Sequence, residues 1–179
     1  MHITNIFKHF GTITKHRFLV FKLSIKAGIP WRGLVHDLSK YSWTEFSESV
    51  KYYQGNRSPI PVAREKEGYS KAWLHHKGRN KHHHQYWQDN DGIVKPILIP
   101  YKYFVELICD NLAAGMVYQG KDWEKESQLN YLRVKESKVI ENEILIKMLE
   151  EVYSKIAIDG IDKVLNKKNL REIYNKYKT

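Results

Sequence analysis

The sequence predicts an all-α protein that forms a single helical bundle over residues 1–179. Apolar side chains recur at helical spacing along most of the chain, no pair of segments alternates as strands would, and glycine or proline stands where helices should end. A length of 179 residues suits one compact domain rather than two. Hydrophobic residues make up 42% and aromatic residues 13%, which excludes disorder as the main state.

Glycine, proline and a capping box mark the boundaries of the first predicted helices. A first helix ends at Gly28, and a short second helix is expected over residues 31–40. Ser42 and Glu45 have the form of a capping box that starts a third helix. Glycine and proline then predict a loop over residues 54–64.

The middle of the chain is predicted to contain shorter elements. A helix through residues 72–76 should be interrupted by Gly78-Arg79-Asn80, and residues 82–87 should form one or two further helical turns. Residues 89–92, with the sequence Asp-Asn-Asp-Gly, are typical of a turn.

The second half is predicted to be helical as well. Pro100 opens a strong helix that ends near Gly120, and residues 127–153 should form one long amphipathic helix before two short ones. The C-terminal helices of residues 121–179 carry no chemical motif, so we interpret them as packing or interaction surface.

Charge and cysteine content bound the class of protein. The net charge of +10 indicates attraction to nucleic acid, nucleotides or phosphate esters. Cys109 is the single cysteine, so it cannot form an internal disulfide; it fits a reducing compartment and is expected to be buried and inert. No segment approaches the roughly 18 apolar residues of a membrane span, and the first residues lack the apolar run of a signal peptide. We therefore expect a cytoplasmic protein without a membrane partner.

Histidine and aspartate carry the chemical signal. One His-Asp pair is followed by two groups of histidines: His36-Asp37, His75-His76 and His82-His83-His84. Imidazole combined with carboxylate suits Mn, Fe, Zn or Mg. Because neighbouring residues on a helix point about 100° apart, both members of the pair reach one ion only if it lies between helices.

Other predicted helices offer further ligands. His9 and His16 share a face but lie about 10.5 Å apart along the helix, so both cannot bind one ion. We select His16, which lies deeper in its helix, and interpret His2 and His9 as solvated or structural. Asp110 shares a face with Glu106 on the helix after Pro100.

The downstream histidines suggest a second ion. Seven residues separate His75 from His82 and also His76 from His83. A bend at Gly78 would let one histidine from each side meet at a second metal, about 3.5–4 Å from the first. Two metals would clamp a phosphoryl group and lower the pKa of a bridging water, giving hydroxide at neutral pH.

Basic residues near these histidines favour a phosphate substrate. Lys40 lies one turn beyond the His-Asp pair, where it could neutralise a phosphate oxygen and act in catalysis together with Asp37. Lys77, Arg79 and Lys81 could supply further positive charge to the phosphate.

In order and spacing, these residues resemble the HD-domain metal-dependent phosphohydrolase superfamily, whose pattern is H…HD…H…H…D. The pentad His36–Lys40 is similar to the HD-x-G-K form of cyclic-dinucleotide-cleaving members, with Ser39 in place of glycine. Residues 33–40 and 72–83 also look like a small family of bacterial and phage proteins without an established activity. That closer resemblance covers about residues 9–120, the expected core of the metal site.

The superfamily resemblance implies an HD-like bundle that hydrolyses a nucleotide or another small phosphate ester with metal-bound hydroxide. The implied ligands of the first metal are His16, His36, Asp37 and Asp110. Asp37 would bridge to a second metal if one is present. The implied ligands of the second metal are one of His75 and His76 and one of His82 and His83.

Two other interpretations stay open. The chain could be a basic nucleic-acid-binding protein in which residues 75–84 are contacts or a structural zinc site, with Trp73, Tyr86 and Trp87 as stacking platforms. It could also be an HD scaffold that serves only as an interaction module, for example in a phage–host setting.

Overall fold

The computed structural model describes residues 3–88 and 97–178, and these residues form α-helices and short 3₁₀ helices but no strand. The α-helices are α1 (Ile3–Lys26), α2 (Pro30–Val35), α3 (Trp43–Lys51), α4 (Pro59–Glu67), α5 (Lys71–Arg79), α6 (Tyr101–Gln119), α7 (Ser127–Val134), α8 (Glu143–Asp159), α9 (Ile161–Val164) and α10 (Lys167–Tyr177). The 3₁₀ helices are Leu38–Tyr41, His84–Trp87, Gly120–Asp122 and Glu136–Lys138. The predicted all-α class is confirmed. The turn predicted at residues 89–92 and the predicted role of His2 lie outside the described residues.

The central element is α6, which packs against α1, α2, α7 and α10. Its residues Phe104, Ile108 and Leu112 are fully buried, as a helix that is apolar on most of its surface requires. Cys109 is buried on the same helix, as predicted. Since α1, α6, α8 and α10 contribute to one buried apolar cluster, the N-terminal and C-terminal halves share a core.

The second helix differs from its prediction. It ends at Val35, because Asp37 adopts a left-handed backbone with φ of 52°, which aspartate tolerates better than most residues. Arg17 stabilises this end by donating hydrogen bonds to the carbonyls of Leu34 (2.9 Å) and His36 (2.7 Å). These carbonyls would otherwise lack partners at the helix end. His36 and Asp37 therefore lie in a sharp turn and not along one helix.

Two further boundaries were predicted incorrectly in the first half of the chain. The predicted loop contains α4, because Pro59 takes the first helical position, where its missing N–H is harmless, and Ser58 caps the helix. Gly78 does not bend the chain, since α5 continues to Arg79 and the turn follows at Asn80. The Asn80 amide closes that helix end by donating to the His76 carbonyl at 2.9 Å.

The predicted long helix over residues 127–153 is two helices, α7 and α8. The chain leaves the helix after Val134, and α8 starts anew where the Asn142 side chain accepts a hydrogen bond from the Leu145 N–H at 3.1 Å. This N-cap accounts for the break. No helix in the described ranges is long and apolar enough to cross a membrane.

The close contact between α1 and α2 depends on Gly33. A Cβ atom at this position would lie 2.5 Å from the Ser24 Cβ and 3.0 Å from the Phe21 Cα, so Gly33→Ala should push the helices apart. We expect a loss of about 1–3 kcal/mol in the free energy of unfolding, measured by urea denaturation.

Gly11 provides the matched control on α1, since a Cβ there meets nothing within 4 Å. Gly11→Ala should raise the free energy of unfolding by about 0.5–1 kcal/mol, because alanine favours a helix interior. Equal stabilities of the two variants would contradict the role given to Gly33.

Candidate metal centre

The turn that carries His36 and Asp37 is buried at the centre of the candidate site. The His36 Nε2 atom lies 3.2 Å from Asp37 Oδ2, while its Nδ1 atom lies 3.0 Å from Glu106 Oε1. Glu106 also accepts a hydrogen bond from Arg32 at 2.8 Å. Because Glu106 contacts one ring nitrogen of His36, the other ring nitrogen points into the site. A carboxylate commonly orients a metal-binding histidine in this way.

A first group of ligands combines α1, the turn and α6. It contains His16, His36, Asp37 and Asp110, whose ligand atoms all lie within 4.8 Å of one another. Asp110 Oδ1 lies 3.0 Å from His16 Nε2 and 3.4 Å from His36 Nε2. Ligands of a tetrahedral zinc with bonds near 2.1 Å are separated by about 3.4 Å, so this spacing suits a metal. The structure thus brings together the four residues expected at the first metal.

A second group shares Asp37 with the first. It contains Asp37, His76, His82 and His83, again within 4.8 Å of one another. Asp37 Oδ1 lies 3.4 Å from His76 Nε2 and 3.5 Å from His82 Nε2, whereas Oδ2 faces His36. The two oxygens of one carboxylate therefore face different ligand groups, which is the arrangement that a bridging role needs.

His75 takes no part in either group. Its Nδ1 atom lies 2.6 Å from Glu45 Oε1, and the other oxygen of Glu45 lies 2.7 Å from His76 Nδ1. The sequence left open which of His75 and His76 is the ligand. The structure places His76 in the site, whereas His75 contacts Glu45, the carboxylate that orients His76. Glu45 was missed because its sequence position resembles a capping box, and no local signal shows that its side chain turns towards α5.

The helices α3 and α5 are held together by a second carboxylate. Glu48 accepts hydrogen bonds from the backbone N–H groups of Lys71 at 3.0 Å and Ala72 at 3.2 Å, at the start of α5. Negative charge is favourable at a helix N-terminus. This contact fixes α5, and with it His76, relative to Glu45.

Lys40 lies at the mouth of the site. Its Nζ atom lies 2.7 Å from Asp37 Oδ2. Burial alone would lower the pKa of this lysine, but the Asp37 and Asp110 carboxylates outweigh that effect and raise it above the usual range. Lys40 therefore stays charged at any physiological pH.

The other predicted phosphate contacts lie elsewhere. Lys77, Arg79 and Lys81 do not line the cleft over the site, and Lys81 instead packs over the ring of Tyr86. Helix α5 directs His76 inward, while Arg79 and Lys81, which follow it, are exposed. Only Lys40 of the predicted set lines the cleft.

A cleft of about 630 Å³ opens above the ligand groups, which is the size of a small-molecule site. Its floor includes Lys40, His76, His83 and Asp110. Its walls include Ile13, Ile60, Trp73, Asn111, Tyr118 and Tyr131. Trp73, expected in the core or in a pocket wall, stands in this wall and contacts His83 at a ring distance of 5.1 Å.

The charge states of the site favour a cation at its centre. For Asp37, the cationic neighbours His36 and Lys40 outweigh burial and hold the pKa well below its usual range. Burial is the largest cause that lowers the pKa of His16 and His83, so both rings are neutral. For His36, burial is outweighed by the Asp37, Asp110 and Glu106 carboxylates, which raise its pKa well above the usual range, so a metal would have to displace a proton from this ring. Ionised carboxylates and neutral imidazoles are the forms that bind metals.

Several ligand atoms lack hydrogen-bond partners within residues 3–88 and 97–178. They are His16 Nε2, His36 Nε2, Asp37 Oδ1, His82 Nε2 and His83 Nε2. Buried polar atoms are rarely left without a partner, and here they converge on a shared centre. The donor set therefore fits one or two divalent cations.

Two further histidines of the described ranges, His9 and His84, belong to neither ligand group, although His9 lines the cleft. His9 is buried against Phe46 and Tyr53, and burial lowers its pKa to about 4. His84 is buried beside Gln88, and burial likewise lowers its pKa to about 4. The histidines of residues 75–84 mostly face inward, so they do not form the exposed stacking surface of the nucleic-acid interpretation.

Comparison with known proteins identifies the family. Residues 5–155 match a family described as "Family of unknown function (DUF5662)". The chain belongs to the DUF5662 family. The match includes every residue of both ligand groups and ends before α9 and α10. No curated protein and no solved structure matches this DUF5662 chain.

A separate titratable group lies behind the cleft wall. Glu136 is buried, and its Oε1 atom accepts a hydrogen bond from Asn111 Nδ2 at 2.8 Å. The same amide donates to the Tyr153 hydroxyl at 3.1 Å. Burial is the main cause that raises the pKa of Glu136 to about 7.

Glu136 should make stability depend on pH. Between its ordinary pKa near 4.5 and the folded value of about 7, only the unfolded chain loses the proton, so folding is progressively disfavoured as pH rises. Glu136→Gln should remove this penalty and add about 3 kcal/mol to the free energy of unfolding near pH 8, but under about 1 kcal/mol near pH 5. Urea denaturation at both pH values measures it. The exposed Glu141→Gln is the control, and an equal gain at both pH values would contradict the assignment.

Metal binding should stabilise the fold. Addition of Mn²⁺, Zn²⁺, Fe²⁺ or Mg²⁺ at about 100 times its Kd should raise the melting temperature by about 5–10 °C, because only the folded chain assembles the ligands. The shift should shrink as pH falls, since protons compete for the imidazoles. Calorimetry and metal analysis measure both effects.

The matched pair for this experiment is Asp37→Ala and Asp122→Ala. Asp37 belongs to both ligand groups, whereas Asp122 is exposed and belongs to neither, so only Asp37→Ala should abolish the shift. The site would be excluded if Asp37→Ala kept the full shift in melting temperature. It would also be excluded if none of the four ions raised the melting temperature of the wild type.

Proposed function

We propose that this protein is a divalent-metal-dependent phosphohydrolase of the HD type that acts on a nucleotide or another small phosphate ester. The observation that supports this most is the position of Asp37, which is shared by two ligand groups beneath an open cleft with Lys40 beside it. Paired metal groups joined by a carboxylate are typical of phosphate-ester hydrolases. The proposal includes the cytoplasmic location expected from the single cysteine.

The ligand roles follow from the two groups. His16, His36 and Asp110 would hold one ion with Asp37, and His76, His82 and His83 would hold a second ion with the other Asp37 oxygen. When bound, such ions supply a Lewis acid and lower the pKa of a water at neutral pH.

Two carboxylates orient the ligand rings. Glu106 lies at Nδ1 of His36 and Glu45 at Nδ1 of His76, so both rings present Nε2 to the centre. Burial would raise the pKa of Glu106, but hydrogen bonds from the histidines and Arg32 outweigh it and lower the pKa to about 2. Glu106 is thus ionised at any physiological pH and keeps its contact with the His36 ring.

Lys40 would bind the substrate phosphate. Its ammonium lies within reach of Asp37, remains charged and lines the cleft. Neutralising phosphate charge in a site partly closed to water is among the largest contributions to this chemistry. Since Lys40 lines the cleft as well as contacting Asp37, its ammonium would reach a phosphate bound above the ligand groups.

The cleft supports a small substrate. Ile13, Ile60 and Trp73 give it apolar walls for an organic group, while Asn111 and Tyr118 supply polar contacts. The net charge of +10 favours arrival of anions. The rival function, nucleic-acid binding with a non-catalytic metal site, has less support because the histidines it would use are directed inward.

The proposal predicts turnover that depends on Asp37 and Lys40. Metal-loaded wild-type protein should hydrolyse at least one member of a panel of nucleoside phosphates, cyclic nucleotides and p-nitrophenyl phosphate. Asp37→Ala and Lys40→Gln should each lower kcat/KM by about 10²-fold or more, because each removes charge that acts on the reacting phosphate or its metals.

Lys121→Gln is the control, since Lys121 is exposed and does not line the cleft. Its kcat/KM should equal that of the wild type. Absence of turnover in protein shown to carry two metal ions would refute the proposal, as would full activity in Asp37→Ala.

A further inference from the structure

The helix α1 has an apolar face that is not turned towards the core. Its buried face consists of His9, Ile13, His16, Val20 and Leu23. The exposed apolar residues recur at helical spacing on another face: Ile3, Phe7, Phe10, Phe18 and Ile25. Phe7 is 72% exposed and Phe18 is 60% exposed. Aromatic side chains this accessible, repeated along 24 residues of helix, indicate an interaction surface.

The segments that follow α1 also carry exposed apolar residues. Trp31, Leu34 and Leu38 are also exposed, and Leu34 is held next to α1 through the bond from Arg17 to its carbonyl. We call the exposed residues Phe7, Phe10, Phe18, Trp31, Leu34 and Leu38 the N-terminal apolar surface.

Charge near this surface has one sign. Residues 3–36 contain no aspartate or glutamate but carry six basic residues: Lys8, Lys15, Arg17, Lys22, Lys26 and Arg32. Lys8, Lys15 and Lys22 are exposed, lie seven residues apart and so form a stripe along one side of α1. None of these three forms an ion pair with the residues that the structure describes. The stripe is therefore available to an external anion.

We propose that the N-terminal apolar surface and the lysine stripe bind an anionic phospholipid bilayer, with α1 lying along the lipid–water interface. A helix of 24 residues extends about 36 Å, so the phenylalanines can enter the acyl region along its length. Lysines beside an apolar face extend their charged ends to the headgroups. The proposal replaces the expectation from the sequence that the protein has no membrane partner, which rested on the lack of a membrane span. It does not depend on the function of the cleft.

The charge pattern argues against other occupants. A second copy of the chain would bring two lysine stripes together without any carboxylate from residues 3–36 to pair with them. A nucleic acid would satisfy the lysines and would find rings to stack on, but it would leave the aliphatic side chains Ile3, Ile25 and Leu34 in water. Lipid meets both the apolar and the cationic requirement.

Vesicle cosedimentation of the full chain tests the apolar part. Vesicles of phosphatidylglycerol mixed with equal parts of phosphatidylcholine should sediment the wild type, and vesicles of phosphatidylcholine alone should retain far less. The double variant Phe7→Ser, Phe18→Ser should weaken binding by about tenfold or more, because the apolar area available for burial is lost. The control is Val134→Ser, Ile158→Ser, which removes exposed apolar residues (58% and 75%) from the C-terminal half and should bind like the wild type.

The charge part has its own matched pair. Replacing Lys8, Lys15 and Lys22 with glutamine should weaken binding to the anionic vesicles by about fivefold per lysine, and salt should weaken wild-type binding. Replacing Lys121, Lys138 and Lys147, which are exposed outside the surface, changes net charge equally and should have a much smaller effect.

Several results would overturn the proposal. The first is failure of the wild type to bind the anionic vesicles. The second is equal binding by a test variant and its control. The third is absence of vesicle binding together with self-association in sedimentation equilibrium that the double variant Phe7→Ser, Phe18→Ser abolishes. Binding of a DNA oligonucleotide that is stronger than vesicle binding and lost in the lysine variant would assign the surface to nucleic acid instead. Circular dichroism melting must show that each variant is folded.

Discussion

A carboxylate that leaves water loses several kcal/mol of solvation unless cations or donors replace the solvent, and the Asp37 carboxylate is fully buried. The structure compensates for it from every side. Lys40 lies 2.7 Å from one oxygen, and imidazoles from the turn, α5 and the segment after α5 surround both. Elements far apart in the sequence therefore have to meet at this residue, and the placement of α2, α5 and α6 follows from that requirement.

The polar interior is organised in layers around that charge. Behind the rings of His36 and His76 stand Glu106 and Glu45, and Glu106 is in turn held by Arg32 at the edge of the protein. Each inner group is held by an outer one, and these contacts orient the ligand rings in the absence of any ligand. Because α6 also contributes to the buried apolar cluster that it shares with α1, α8 and α10, the fold retains an apolar core beside this polar site.

The sequence predicted those features that depend on local pattern or on residue type. Apolar periodicity ended by Gly28 and Gly120 located α1 and α6, and the types and order of His16, Asp110 and the His-Asp pair selected side chains that the fold brings together. The rest depends on contacts between distant segments. Helical periodicity cannot reveal a left-handed turn at Asp37, and the role of Glu45 exists only because α3 packs on α5.

The residues that converge on the site are spread from His16 to Asp110, so their meeting closes several long loops. Closing a loop is entropically unfavourable and must precede the contacts that stabilise the closed state. Folding is therefore slower when the contacting residues are distant in sequence. α1 and α6 must already be packed before His16 can face Asp110. We therefore expect the centre to form late in folding, so that its completion would report that the N-terminal two thirds of the chain has reached its native topology.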